Sequence, residues 1–196
     1  GDLYKSTDDR GVYKSIDGGK TWNKKLFANK DAGVVDLIID PNNPRVLYAT
    51  TWNIRRTPYS LSSGGDGSAL WKSTDEGETW TEPRPSRFRS PASPMSIKAI
   101  SSNCWLAVWN DRQNPVDNET GFAKNSSWGR TPLAIATSRD EGRTWTDAEL
   151  IEDDPERGFC YIAIHPVENA VLLSYCCGGR GTAVLQDSCI RRIELD

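Results

Sequence analysis

The sequence predicts an all-β chain: four-stranded antiparallel units, about three of them, strung along 196 residues. Three observations carry that prediction. An eight-residue pattern, Ser-x-Asp-x-Gly-x-Thr-Trp, occurs at residues 15–22, 73–80 and 138–145. Every apolar stretch is short, β-prone and bounded by Gly, Pro, Asn or Asp. Nowhere does the 3.6-residue periodicity of an amphipathic helix compete with this pattern.

Each copy of the pattern has a local mechanism. The Asp accepts hydrogen bonds from amides of its own turn, the Gly supplies a positive φ, and Thr and Trp open the next strand. A β-prone stretch precedes each copy (11–14, 69–72, 133–137), so each joins two antiparallel strands. Three further pairs lie between: Val34 to Ile39 with Val46 to Thr51, Ser96 to Ile100 with Trp105 to Trp109, and Tyr161 to Ile164 with Val171 to Tyr175. Turn-forming runs such as Asp40-Pro41-Asn42-Asn43-Pro44 separate their members. With strands of a unit lettered A to D, the chain reads as a CD hairpin, two complete ABCD units, and a terminal AB followed by a strand near Cys189 to Leu195. A broken fourth copy of the pattern stands at Leu3 to Asp8, without the downstream Thr-Trp.

Composition narrows the function classes. A formal net charge of -3 offers no basic field for a phosphate backbone, so nucleic acid is not an expected partner. No apolar run is long enough to cross a bilayer, and the chain begins at Gly1 without a signal-like segment, so a soluble, processed or excised piece is expected. Five Cys without C-x-x-C spacing and one His argue against zinc; no metal and no cofactor is expected. The vicinal Cys176-Cys177 pair does not readily bridge to itself. Asn118-Glu119-Thr120 and Asn125-Ser126-Ser127 have the form of glycosylation acceptors. The eight Trp fill a β core or stack on sugar rings.

The Ser-x-Asp-x-Gly-x-Thr-Trp turn resembles the Asp-box, or bacterial neuraminidase repeat, of sialidases, sortilin-type receptors and several bacterial glycosyl hydrolases. The resemblance implies a β-propeller of four-stranded antiparallel blades with Asp-box turns, about three blades per chain, forming one domain over residues 1–196, whole or partial. It implies that Asp17, Asp75 and Asp140 are structural. Residues 11–80, with Arg10-Gly11-Val12-Tyr13-Lys14-Ser15 and Asn53-Ile54-Arg55-Arg56-Thr57-Pro58, look like sortilin-like bacterial glycosyl-hydrolase propellers. Residues from about 96 to 196 look like the C-terminal part of bacterial sialidases, on Leu106-Ala107-Val108-Trp109-Asn110-Asp111, Gly129-Arg130-Thr131-Pro132-Leu133 and Glu152-Asp153-Asp154-Pro155.

The sialidase resemblance implies roles at two positions counted from the third box. Arg130 stands where an arginine binds the carboxylate of an anionic sugar, and Tyr161 where a tyrosine attacks the anomeric carbon. A guanidinium forks onto a carboxylate, and a phenol avoids the repulsion that a carboxylate nucleophile would meet. The bland readings stand beside these: Tyr161 as an aromatic opening an inner strand, Phe159 as its inert competitor, Arg130 as a strand-end charge. Glu152, Asp153 and Asp154 supply either an acid, an activator for the tyrosine, or a solvated loop. Arg55, Arg56 and Arg112, in loops after Trp52-Asn53 and Trp109-Asn110, are further substrate-binding candidates with Asp154. The Arg-Ile-Pro motif of sialidases is absent. The expected function is a sialidase-like glycoside hydrolase propeller, or part of one, that acts on or binds glycans. The alternatives are a non-catalytic propeller scaffold and a recombined fragment without activity. A glycan or small anionic sugar is the expected partner, a homodimer is expected to complete the ring, and the location implied is secreted or periplasmic.

Overall fold

A computed structural model describes residues 2, 4–91, 93–113 and 127–194 of the chain. Asn118-Glu119-Thr120, and Asn125 with Ser126 of the second glycosylation-type triplet, lie outside the described residues. The described residues form antiparallel sheets with no helix, so none is long and apolar enough to cross a membrane. The chain divides into two compact units, residues 1–85 and 86–196.

In the first unit β1 (Val12–Lys14) pairs β2 (Asn23–Leu26) across the first box. β3 (Ala32–Asp40) pairs the fifteen-residue β4 (Asn43–Thr57), which pairs β6 (Ala69–Ser73) over its first half and β5 (Ser60–Ser63) over its end. Val12, Leu26 and Ala49 are buried together, with Val34, Trp71 and Trp80 against them.

The second unit holds a four-stranded sheet in the order β10 (Glu149–Glu152), β9 (Leu133–Ser138), β8 (Cys104–Asn110), β7 (Ser96–Ser101). A three-stranded sheet follows: β11 (Cys160–Val167), β12 (Ala170–Cys176), β13 (Ser188–Glu194). The apolar run of β8 is explained by burial on both faces. Leu106 and Val108 join Leu133, Ile135 and Ile151 against Ile162, Ile164, Val171 and Leu173 of the other sheet. Ala107 and Trp109 face the opposite way, onto Ala134, Ala136, Phe88 and Trp145. Phe88 meets Trp109 and Trp145 edge to face, at 4.9 and 5.2 Å between ring centroids. Ser96 Oγ and Lys98 Nζ, on β7, donate to the carbonyls of Ile162 and Ile164 on β11 at 2.6 and 3.1 Å.

The three boxes are the same object built three times. Asp17 Oδ1 accepts the Ser15 hydroxyl (2.8 Å) and the Thr21 amide (2.9 Å), while Oδ2 accepts the Thr21 hydroxyl (2.7 Å). Asp75 does the same with Ser73 and Thr79, and Asp140 with Ser138 and Thr144. Ser15, Ser73 and Ser138 accept in turn from the amides of Gly19, Gly77 and Gly142. The residue before that glycine also takes a positive φ: 73° at Gly18, 63° at Glu76, 60° at Glu141. Two consecutive left-handed residues turn the chain, and the Ser and Asp side chains gather the amides this exposes.

Three details differ from the expected layout. The strand after a box does not open at the Trp. In the first and third copies the indole turns back, Trp22 Nε1 donating to Gly19 O (3.1 Å) and Trp145 Nε1 to Gly142 O (3.0 Å), and β2 and β10 start beyond it. After Trp80 no strand forms over 81–91. Thr81 N still reaches Lys72 O (2.9 Å), but Pro83 and Pro85 withhold the next ladder donors, so the first complete ABCD unit lacks its fourth strand. The broken copy near residue 8 forms no strand from Tyr4 onward.

The box carboxylates make stability sensitive to acid. Bonds from the Thr21 amide and hydroxyl and from Ser15 hold Asp17 down at about 2, and those from Thr144 and Ser138 hold Asp140 at about 2. Thr79 and Ser73 hold Asp75 well below the usual carboxylate range. A native value below the unfolded value of about 3.9 contributes stability that is full above that value and lost as pH falls through the native one. The thermal midpoint is therefore expected to fall steeply between about pH 4 and pH 2, and less steeply in Asp140→Asn. Parallel slopes for parent and variant, read by circular dichroism, would remove the box from the acid response.

Candidate functional site

The candidate residues of the second unit gather where β8 ends and β9 and β11 begin. Asn110 closes β8 and is fully buried. Its Nδ2 donates to the carbonyls of Arg130 (2.8 Å), Phe159 (2.9 Å) and Pro132 (3.3 Å), so one side chain fixes both the segment entering β9 and the segment entering β11. The Phe159 amide returns a bond to Arg130 O (2.8 Å). The Thr131-Pro132 peptide is cis.

Arg130 is pinned by this frame and is 6% exposed. Its guanidinium lies over the ring of Tyr161 at 5.2 Å and that of Trp128 at 5.6 Å, and Nη1 donates to Cys160 Sγ at 3.0 Å. Burial pushes the Cys160 thiol up, with Arg130 pulling the other way. Tyr161, the second residue of β11, has φ of 58° and is 51% exposed. A left-handed conformation at an aromatic residue is a strained position. It coincides with the bulge between Cys160 and Ala163 and turns the ring out over Arg130. Arg130 and Tyr161 are thus adjacent. Phe159 is 2% exposed, a core residue packed against Tyr175.

The acidic loop divides by residue. Asp154 Oδ2 accepts from Arg180 Nη2 (2.6 Å) and Nε (3.0 Å), and Oδ1 accepts the Glu156 amide (3.0 Å). Its carbonyl accepts the Thr131 hydroxyl (3.1 Å). Burial alone would raise the Asp154 carboxyl, but the Glu156 amide and Arg180 outweigh it and hold the group below its usual range. Asp154 therefore ties the loops before β9, before β11 and after β12 together. Glu152 Oε1 accepts the Tyr175 hydroxyl (2.5 Å) and Arg191 Nη1 (3.1 Å). Among the described residues of the unit, Glu152 is thus hydrogen-bonded to Tyr175, which is only 3% exposed. Arg112 follows β8 in a loop, as expected, and its Nη1 donates to Thr131 O at 3.3 Å.

Arg55 and Arg56 lie in the first unit, and not in a loop. Thr57, Pro58, Tyr59 and Ser60 turn the chain into a hairpin, so both arginines sit within β4 opposite Ser62 and Leu61. Arg55 Nη1 donates to Ser6 Oγ (3.2 Å) and lies 3.8 Å from Asp31. Arg56 is exposed. Trp52 and Ile54, just before them, border a cleft of about 280 Å³ with Arg10, Gly33 and Val34.

Sequence reasoning missed Asn110, Trp128, Cys160 and Arg180. Asn110 directly follows the apolar run Trp105 to Trp109, and that position was the available signal. Trp128 and Arg180 take positive φ, at 56° and 52°, which residue type does not announce.

The family comparison agrees with the turn chemistry. The BNR repeat-like domain family matches residues 4–173. The xyloglucanase Xgh74A of Acetivibrio thermocellus is 30% identical over 151 residues, 68% of this chain and 15% of that protein. A xyloglucanase of a Paenibacillus species is 25% identical over 150 residues, 69% of this chain and 13% of that one. The chain thus spans a small part of the curated relatives it matches. Among solved structures, a protein of unknown function from Dyadobacter fermentans superposes with a TM-score of 0.44 at 19% identity, covering 92% of this chain and 53% of that one. An alpha-L-arabinanase of Penicillium chrysogenum, solved with arabinobiose, superposes with a TM-score of 0.39 at 15% identity, covering 92% and 52%. The family match takes in all three identically bonded turns, and the chain belongs to the BNR repeat-like domain family.

Proposed function

We propose that this chain is a glycan-recognising part of a glycoside-hydrolase-type β-propeller, with Tyr161 as the sugar-facing surface. The observation that carries the reading is the half-exposed Tyr161 ring, held outward by a left-handed backbone and backed by the Arg130 guanidinium. An aromatic face fixed at the start of a strand packs on the apolar face of a sugar ring and loses little entropy in doing so. The likeness to two xyloglucanases supports a neutral glycan as the ligand class.

The sharper reading is an exo-acting sialidase, with Tyr161 attacking the anomeric carbon and Arg130 binding the sugar carboxylate. Their adjacency supports it. Burial of Arg130 between two rings, and the commitment of Glu152 to Tyr175 and Arg191, support recognition over nucleophilic attack.

Calorimetric titration with a neutral xyloglucan oligosaccharide, and turnover of a chromogenic sialoside, separate the two. Tyr161→Ala is expected to weaken oligosaccharide binding about tenfold, about 1.4 kcal/mol, while Tyr161→Phe keeps it. A sialidase would instead lose turnover in Tyr161→Phe, and Arg130→Ala would lose about 1.5–3 kcal/mol of sialoside binding. Equal affinity of parent and Tyr161→Ala for the oligosaccharide would overturn the platform.

The same reading includes a single domain over the two units, about three blades, and a ring completed by a second copy, in a secreted or periplasmic setting. Exposed Val35, Leu37, Ile38 and Ile39 on β3 support a further partner for that strand. Sedimentation of the protein used for titration is expected to read twice the chain mass; a stable monomer would remove the second copy.

A further inference from the structure

Four of the five cysteines lie at one end of the three-stranded sheet, and their register sorts them. Cys160 opens β11 and is the direct cross-strand partner of Cys176, which closes β12. Directly opposed residues of an antiparallel pair have Cα atoms about 4.5–5.5 Å apart and side chains on the same face, inside the range a disulfide spans. Cys176 lies close enough to add to the burial that pushes the Cys160 thiol up. Cys177 and Cys189 point to the other face, beside Tyr175, whose register partner is Cys189. Cys104 is buried within the other sheet. All five are free thiols in this structure.

We propose that Cys160 and Cys176 are a modification site: they close to a cross-strand disulfide when a low-molecular-weight disulfide is present as oxidant. The partly exposed Cys176 thiolate attacks one sulfur of the oxidant, forming a mixed disulfide and releasing the first small thiolate. The Cys160 thiolate then attacks the Cys176 sulfur, the Cys160–Cys176 bond forms and the second small thiolate leaves. Two protein thiols give up two protons and two electrons, and one small disulfide becomes two thiols. The order is set by access, because Cys160 is fully buried. Arg130 Nη1 donates to Cys160 Sγ and so faces the sulfur as its thiolate forms. The bridge staples the strand ends beneath Tyr161, one residue from the ring that the proposed recognition uses, and it stands whether or not that recognition is correct.

The test incubates the whole chain with oxidised glutathione, blocks remaining thiols with iodoacetamide under denaturing conditions, and maps peptides by mass spectrometry without reduction. The expected product is a peptide pair joined through Cys160 and Cys176, two hydrogens lighter than its parts, with three thiols still alkylated. Cys176→Ser should lose the linked pair and leave Cys177 and Cys189 alkylated. Cys160→Ala should stop at a glutathione adduct on Cys176; if that variant fails to fold, the Cys176→Ser map and the slower trapping of Cys176 by iodoacetamide in oxidised native protein decide. Linkage of Cys176 to Cys177 or Cys189, a persistent adduct on Cys176 in the parent, or five alkylated thiols would each overturn the proposal.

Discussion

Phe159→Ala is expected to destabilise the second unit by about 3–5 kcal/mol, the range for removing a buried aromatic ring. The ring is 2% exposed and lies edge-on to Tyr175 at 6.2 Å between centroids, within the cluster that joins the two sheets. The ring shares its buried cluster with Leu133, Ile162 and Leu173, each fixed in a hydrogen-bonded strand, so collapse into the space it leaves is limited. Urea unfolding followed by tryptophan fluorescence measures the loss, with Trp105, Trp109, Trp128 and Trp145 reporting on the unit. A loss under about 1 kcal/mol would mean that the ring is not part of the core.

Phe159 also marks where sequence reasoning divides from structure. Phe159 and Tyr161 are two residues apart, and strict alternation puts both rings on the same face. Instead one is core and the other is half exposed, because Phe159 precedes the strand and Tyr161 takes a positive φ at a bulge. Nothing in an aromatic residue's identity announces such a backbone. The boxes were legible because their chemistry is local: Ser, Asp, Gly and Thr satisfy one another within eight residues. The three interleaved strand pairs were legible from short β-prone apolar stretches bounded by turn residues. The missing strand after Trp80 was written in Pro83 and Pro85, a signal outweighed by the expectation of equal repeats. Arg55 and Arg56 were misplaced because β4 continues for fifteen residues, with β5 pairing its far end. The ties of Asp154 to Arg180, and of Glu152 to Tyr175 and Arg191, join loops and strands more than twenty residues apart, which periodicity does not reach.

Asn110→Asp is expected to cost about 3–5 kcal/mol at neutral pH, the range for an uncompensated buried charge, although it preserves shape almost atom for atom. In the parent, the Nδ2 group of this fully buried residue serves three carbonyl oxygens, those of Arg130, Pro132 and Phe159. The aspartate oxygen in its place has no proton to give and sets a negative charge against three acceptors. The new carboxyl is therefore expected to be protonated in the folded state well above its unfolded value of about 3.9. A group with a raised folded value costs nothing below the unfolded value and progressively more as pH climbs above it, until the folded value is reached. The stability difference between Asn110→Asp and the parent should thus narrow as pH is lowered from 7 toward 4, opposite in sign to the acid response of the boxes. Because the same side chain sets the carbonyls flanking Arg130 and Tyr161, oligosaccharide binding at pH 7 should weaken alongside stability and recover with it on acidification. Urea titrations of both proteins at stepped pH measure the gap. A gap that stays constant from pH 4 to 7 would show that the introduced carboxylate finds another partner and that the three-carbonyl tie made by Asn110 is not what holds this end of the two sheets.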